Sequence, residues 1–314
     1  MWSGKTIPFM RYRNPCAVFS IVLMIACLIA LAVNGLKYGL DFTGGTQINL
    51  HYSAEPDIEE IRDVLTEAGY PSHEVVFYGT DRDILIRVQA IEGDVTNEAS
   101  SGETTEKVVA VLRESSGLQI DLLSSSFVSS QIGDEMKEQG ILGMVVSLAL
   151  MAVYISLRFQ FKFSIGAVLS LAHDTIFTLG FFAVTQMDFD LTVMSAVLAM
   201  VGYSLNDTVV IADRIRENFR ILRGVEPEEI IDIAVTQTLI RTMITALTTL
   251  LVLFALFFFG GQVVYGFSIA LIVGVLIGTY SSIYVAASVL VFMDLSKEDM
   301  MPSVQNKDEL DAIP

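Results

Sequence analysis

"GYSLNDTVVIADRIREN", residues 202–218, closes a stretch whose upstream part reads as buried in lipid. Asn206 and Asp207 stand side by side in it, with Asp213, Arg214 and Arg216 close behind. An ionisable group at membrane depth costs at least about 2.5–3.5 kcal/mol unless it is paired or hydrated. The apolar part of this stretch has to cross a bilayer, so the polar part needs a reason to be there.

The rest of the chain agrees with a bilayer as solvent. Its 314 residues are 53% hydrophobic and 18% charged, with a mean hydropathy of +0.57. Soluble domains usually carry about 25% charged residues. A hydrocarbon core of roughly 30 Å takes about 20 apolar residues per helix. Six such stretches are found, at about 15–34, 139–157, 163–185, 191–212, 239–259 and 264–293. The last is long enough to tilt or to extend past the bilayer. The expected fold is a polytopic α-helical membrane protein with six transmembrane helices.

The first stretch has a basic start (Lys5, Arg11, Arg13) and an Ala30-x-Ala32 that resembles a cleavage site. Its apolar run from Cys16 to Val33 exceeds the ~7–15 residues of a signal h-region, so it reads as a retained helix. Both cysteines, Cys16 and Cys27, lie in or beside this stretch and read as small apolar packing residues. Basic residues set the orientation. Lys5, Arg11, Arg13, Arg158, Lys162, Arg214, Arg216, Arg220, Arg223, Lys297 and Lys307 fall on one side, and the short turns near 186–190 and 260–263 hold no Lys or Arg. The positive-inside rule then makes both termini cytoplasmic. Residues 1–14 become a cytoplasmic N-terminus, 15–34 transmembrane helix 1 and 35–138 an extracytoplasmic domain. Residues 139–293 hold helices 2–6 with a cytoplasmic amphipathic segment at about 213–236, and 294–314 form a cytoplasmic C-terminal tail.

The formal net charge is −17, with most of the acid in 35–138. Such a surface repels phosphate backbones, which argues against a nucleic-acid partner. Within this segment "TQINLHYS" (46–53), "HEVVFYG" (73–79), "DILIRVQAI" (83–91) and "LQIDLLSSSFV" (118–128) read as strands. "PDIEEIRDVLTEAGY" (56–70) and "TTEKVVAVLRESSG" (104–117) read as helices. The order β-α-β-β-α-β is that of an α+β ferredoxin-like domain. His51 and His73 are isolated, and neither Cys-x-x-Cys nor His-Glu-x-x-His occurs, so neither a zinc site nor enzyme chemistry is expected. "DFTGGT" (41–46) places Asp41, Gly44 and Gly45 at a tight turn into the domain. It is not a phosphate loop, because no Lys-Ser/Thr follows and a strand comes next.

Other polar groups sit at membrane depth. The third stretch holds "SLAHDTIF", with His173 and Asp174 near its middle, and the fifth opens on Arg241, Thr245, Thr248 and Thr249. Asp207 lies about six residues, or ~9 Å, from the middle of its span. Arg241 lies a similar distance along an antiparallel neighbour, so the two can meet at one level with Asn206 beside them. Asp174 sits nearer the middle, which suits a relay, with His173 and Thr245 as further relay groups. Two readings follow. A static buried pair would join two helices, whereas a carboxylate beside a movable arginine would load and release a proton. In the sixth stretch Gly266, Ala270, Gly274, Gly278, Ser282 and Ala286 recur every fourth residue. That spacing lets another helix approach closely, from the same bundle or from a partner. After Asp207, Ile215, Phe219, Leu222, Ile230 and Ile231 mark the amphipathic segment, either a solvated interfacial face or a dock for a cytoplasmic partner.

"DFTGGT", "SLAHDT", "GYSLNDTVVIADRIRENFR", "TLIRTMIT" and "GTYSSIYVA" follow one another along nearly the whole chain. In this order they resemble the SecF family, membrane subunits of the SecDF protein-export accessory complex in the resistance-nodulation-division superfamily. The resemblance implies a heterodimer with SecD in the bacterial inner membrane. It implies that Asp207 and Arg241 couple proton flow to movements of the outward domain, with Asp174 carried over less directly. Those movements would promote late, ATP-independent steps of preprotein translocation through SecYEG, after SecA has acted. No cofactor is implied beyond the transported ion, H+ or, since carboxylate and hydroxyl oxygens bind either, Na+. Two alternatives stay open. One is half of an efflux-type transporter of the same superfamily, for which an outward domain of about 90 residues is thin. The other is a non-conducting structural partner subunit with a static charged pair.

Overall fold

The computed structural model describes residues 6–71, 73–78, 80–89, 98–222 and 224–295. Lys5, Arg223, Lys297, Lys307 and nearly all of the expected C-terminal tail lie outside the described residues, as do the last residues of the second and third expected strands.

The chain opens with a short turn, Met10–Tyr12, that leads into α1 (Arg13–Val33). The domain that follows contains α2 (Leu40–Thr43), β1 (Gly45–Tyr52), α3 (Ile58–Glu67), β2 (His73–Phe77), β3 (Asp83–Gln89), α4 (Glu98–Ser116) and β4 (Ile120–Val128). Its strands form one antiparallel sheet in the order β2-β3-β1-β4. Alternation explains the sheet. Ile48, Leu50 and Tyr52 on β1 and Ile84 and Ile86 on β3 are fully buried on one face. That face packs against Ile61 and Leu65 of α3 and Val108 and Leu112 of α4. The start signal of α3 is a cap: the Asp57 carboxylate accepts the Glu59 N–H at 2.9 Å.

Six helices are long and apolar enough to cross a membrane: Met10–Val33, Gln131–Arg158, Phe161–Thr185, Leu191–Ile221, Pro227–Phe259 and Val264–Phe292. They correspond to α1, α5 (Ser130–Arg158), α6 (Phe161–Thr185), α7 (Leu191–Ile221), α8 (Pro227–Phe259) and α9 (Gln262–Ser281). The last continues through a π-helical turn, Ser282–Ala286, into α10 (Ala287–Phe292). The protein itself covers 56%, 56% and 50% of the apolar windows of α6, α7 and α9, against 11%, 6% and 17% for α1, α5 and α8. The bundle is therefore built on α6, α7 and α9, and the other three turn most of their surface outward. The small residues of α9 face α7: a Cβ added at Gly266 would lie 2.8 Å from Val193 Cγ2, and one at Gly274 2.1 Å from Met200 Cγ. The ladder thus serves the chain's own bundle.

Two helical boundaries differ from the sequence reading. α5 starts at Ser130, capped by the Ser129 hydroxyl, well before the apolar run at 139. Its polar first turns pack on α2, where a Cβ at Gly133 would come within 2.9 Å of the Phe42 carbonyl oxygen. The amphipathic segment at about 213–236 is carried by the end of α7 and the beginning of α8, both of which extend beyond the expected apolar runs. Pro227 opens α8 with Glu228 and Glu229 in the first turn, a strong start signal. Ile215, Phe219, Ile230 and Ile231 are at most 2% exposed within the main core. Four residues of the apolar stripe are thus consumed by the bundle, and Leu222 packs half-buried against the same core.

The turn into the domain is as tight as expected. Gly44 (φ 71°) and Gly45 (φ 141°) both take conformations that favour glycine. The preceding α2 was not legible in the sequence. It brings Asp41 Oδ2 to the Leu191 N–H at 3.2 Å, at the start of α7, where Asp190 caps the Val193 N–H at 2.8 Å. Backbone bonds Gly39 N–H to Phe189 O (3.0 Å) and Phe189 N–H to Lys37 O (2.7 Å) complete this joint. On its flank Lys37 pairs with Asp188 at 2.7 Å and Arg87 with Glu74 at 3.1 Å. The Glu74 and Asp188 carboxyls are also close to each other, in the wall of a cavity of about 320 Å³.

Burial, and then the Asp188 charge, hold the Glu74 carboxyl above the usual carboxylate range, with Arg87 pulling the other way. The docked domain thus binds this proton more tightly than an undocked one. The contact is strongest below the ordinary Glu value of about 4.3 and weakens as pH rises through the raised one. A fluorescence distance between labels at Tyr78→Cys and Gln186→Cys is expected to lengthen between pH ~4 and ~8 in wild type and to stay constant in Glu74→Gln. In the bundle, Gly274→Leu is expected to cost about 1–3 kcal/mol or more by overpacking against Met200. Gly202→Ala, which meets nothing within 4 Å, should change little. Thermal unfolding in detergent compares the two.

Candidate ion-coupling site

α6 carries the deepest polar cluster. Its apolar positions face α1, α7 and α9, which places Asp174 at the crossing of these helices with no exposed surface. Asp174 Oδ2 accepts hydrogen bonds from Ser204 Oγ of α7 (2.5 Å) and from Ser281 Oγ of α9 (2.8 Å). Ser170, one turn earlier on α6, donates to Ser281 Oγ at 3.0 Å. Asp174 Oδ1 lies 3.0 Å from His173 Nδ1, and His173 is only 2% exposed. The cluster is dense because the helices touch. A Cβ at Gly278 would sit 3.1 Å from Ser204 Oγ and 3.6 Å from Asp174 Oδ2.

Asp207 is buried one turn further along α7 from Ser204, at 4% exposure. Its Oδ2 has no hydrogen-bond partner among the described residues. The Arg241 guanidinium of α8 is near enough to act on this carboxylate electrostatically. It does not form the close pair that helix levels suggested, because among the described residues Arg241 has no ion pair and its side chain is exposed. Tyr203, a turn before Asp207, turns its hydroxyl toward Thr245 and Thr249 without a hydrogen bond of good geometry. The buried Thr242 hydroxyl is also unpartnered among the described residues.

The remaining expected site residues fall in different places. Asn206 points away from Asp207 and is exposed on α7. Thr245 Oγ1 donates to the Arg241 and Thr242 carbonyls of its own helix at 3.1 and 3.0 Å. Ser282 opens the π turn and bonds back to the Thr279 carbonyl at 3.0 Å. Sequence reasoning did not link Ser170, Ser204 and Ser281 to Asp174. Serine is common in membrane helices, and only the convergence of Ser204 and Ser281 on Asp174 from two other helices, with Ser170 behind Ser281, makes it informative. The sequence signals were Ser204 three residues before Asp207 and the serine pair in "GTYSSIYVA".

Chemically, the arrangement offers one carboxylate rich in hydrogen bonds on α6 and one poor in them on the neighbouring α7. No group of three or more His, Cys, Asp or Glu is placed to hold a metal ion among the described residues.

Comparison with known proteins gives these residues a context. The family described as "Protein export membrane protein SecD/SecF, C-terminal" matches residues 107–296, and the "SecD/SecF GG Motif" matches residues 29–55. The protein translocase subunit SecF of Pseudomonas aeruginosa is 44% identical over 98% of this chain and 98% of its own length. That of Vibrio alginolyticus is 42% identical, covering 99% and 98%. The crystal structure of SecDF, a translocon-associated membrane protein from Thermus thermophilus, superposes with a TM-score of 0.79 at 32% identity. The match covers 94% of this chain and 40% of that longer one. With a family match over more than half its length and such relatives along nearly all of it, this chain belongs to the SecF family of protein translocase subunits.

Proposed function

We propose that this chain pairs with a SecD-type subunit in the bacterial inner membrane, both termini cytoplasmic, and couples ion movement to late steps of preprotein translocation through SecYEG, after SecA has acted. The observation that carries this reading is Asp207. A carboxylate at 4% exposure, with Oδ2 unpartnered, is poorly suited to being a static structural group. It suits a group that binds a transported ion, H+ or Na+, and is discharged as Arg241 approaches. The open geometry between the two also favours coupling over the non-conducting structural subunit.

A SecD partner is supported by the 40% coverage of the SecDF polypeptide, which leaves room for a second half. It is supported too by Asn206, Arg241 and Thr248, polar side chains exposed on α7 and α8 at membrane depth. Such groups need cover from another protein surface. The β-α-β-β-α-β order and the strand order β2-β3-β1-β4 support reading the outward domain as ferredoxin-like, a rigid body moved by the bundle through the Asp41–Leu191 joint. Asp174 and Thr245 would stand along the ion's route, and the family's export proteins make an efflux half the weaker reading.

The test follows preprotein completion in vesicles containing SecYEG, SecD and this chain, with ATP exhausted after initiation and a proton gradient imposed. Asp207→Asn is expected to lose the gradient-dependent step with normal assembly. Arg241→Leu should slow it roughly tenfold or more, the effect of about 1.4 kcal/mol on a barrier. Equal completion in wild type and Asp207→Asn, under proton and sodium gradients alike, would sink the reading.

A further inference from the structure

We infer that His173 Nε2 is a second proton-binding site, distinct from Asp207, built as a histidine–aspartate dyad in the seam of α1, α6 and α9. The argument starts from Asp174. Its Oδ2 already takes two hydroxyl donors, and the Ser170–Ser281 bond orients the second of them. With Oδ2 taken up by the two hydroxyls, Oδ1 faces the His173 Nδ1 at 3.0 Å with one hydrogen between them; when Asp174 is ionised, that hydrogen is on Nδ1. The free lone pair of the imidazole is then on Nε2. That nitrogen is buried and has no partner among the described residues.

Among the described residues, no ion pair brings a lysine or arginine to the dyad. On α6 the dyad's own partner is Asp174. On α9 the Tyr280 ring lies 6.3 Å from the imidazole, and Tyr284 of the π-helical turn lies beyond it, tilted, with ring centroids 5.4 Å apart. On α1 the groups facing this seam are Ser20 and Cys16: the Tyr280 hydroxyl donates to the Cys16 carbonyl at 3.0 Å and meets Ser20 Oγ at 3.0 Å. On α7 the nearest groups are Ser204 and, one turn on, Asp207. The cluster around Asp174 is therefore one positive charge short. A buried carboxylate held only by neutral donors is costly in a membrane interior, and a proton from water can neutralise it. The step is a single protonation: H+ bonds to the Nε2 lone pair, Nδ1–H stays on Asp174, and the dyad's charge goes from −1 to 0.

Protonation has a place to register. Ser281, which holds Asp174, is the last residue before the π-helical turn Ser282–Ala286, where the backbone ladder of α9 loses its ordinary register. Gly166 of α6 packs against the end of that turn, with a Cβ there falling 2.9 Å from the Ala286 carbonyl oxygen. A change in the dyad's hydrogen bonds thus reaches the α6–α9 contact directly. What the proton is used for rests on the ion-coupled reading above; the existence of the site does not.

The chain has three histidines, so His51→Gln with His73→Gln leaves His173 as the single imidazole. The full chain, labelled with 15N-histidine in lipid nanodiscs, would be followed by NMR from pH ~5 to ~9. The expected result is a neutral ring with hydrogen on Nδ1 that converts to the doubly protonated form within this range. Asp174→Asn should remove the Nδ1–H preference, and Ser281→Ala should shift the midpoint while leaving that preference. A ring that keeps hydrogen on Nε2, or that does not change protonation across the range, overturns the inference. Asp207→Asn in the same background is expected to leave the conversion in place. Silence of His173 with intact Asp207-dependent translocation therefore removes this inference alone, and the converse removes the coupling reading alone.

Discussion

A carboxylate with no exposed surface has to be met by hydrogen-bond donors, and in this bundle the donors to Asp174 come from other helices. Ser204 and Ser281 reach it only if α7 and α9 approach α6 closely. The glycines of α9 make that approach possible: Gly274 admits Met200, and Gly278 admits Ser204 beside the carboxylate. Packing and polar chemistry are here one constraint. A larger side chain on the ladder would both separate the helices and strip Asp174 of its donors, leaving the costliest kind of buried group, a partly satisfied charge.

The same three helices set how the membrane part can communicate with the domain. α7 is continuous from Leu191 to Ile221. Its first turn is held by Asp190 and by Asp41 from the turn into the domain, its middle carries Ser204 and Asp207, and its end packs Ile215 and Phe219 against α8. One continuous helix therefore joins the level of Ser204 and Asp207 to the joint, without a loop in between. The glycine pair Gly44 and Gly45 sits at the other side of that joint, where β1 begins. By contrast α1, α5 and α8 are fixed to the core along one face and present the rest outward. Arg241 belongs to this outer layer, which is why its charge reaches Asp207 and its hydrogen bonds do not.

Much of this was decided by the sequence alone, for a simple physical reason. Bilayer thickness sets helix length, so six apolar stretches dictate six spans whatever their packing. Period-two alternation in "TQINLHYS" and a capped start at Asp57 dictate a strand and a helix for the same local reason. The position of Asp174, Asp207 and Arg241 along their apolar stretches could also be counted, because rise per residue is fixed. What the sequence could not carry was rotation about each helix axis. Asp207 and Arg241 stand at compatible levels yet do not meet, and Asn206, adjacent to a buried Asp207, is exposed. Ser170, Ser204 and Ser281 are unremarkable in one dimension and become a site only where three helices cross. The amphipathic stripe after Asp207 has the periodicity of an interfacial helix, and only its neighbours decide that it is core. Local chemistry fixed which residues are helical and which are buried in lipid; which polar groups face one another was left to the tertiary structure, since it depends on contacts between segments far apart in the chain.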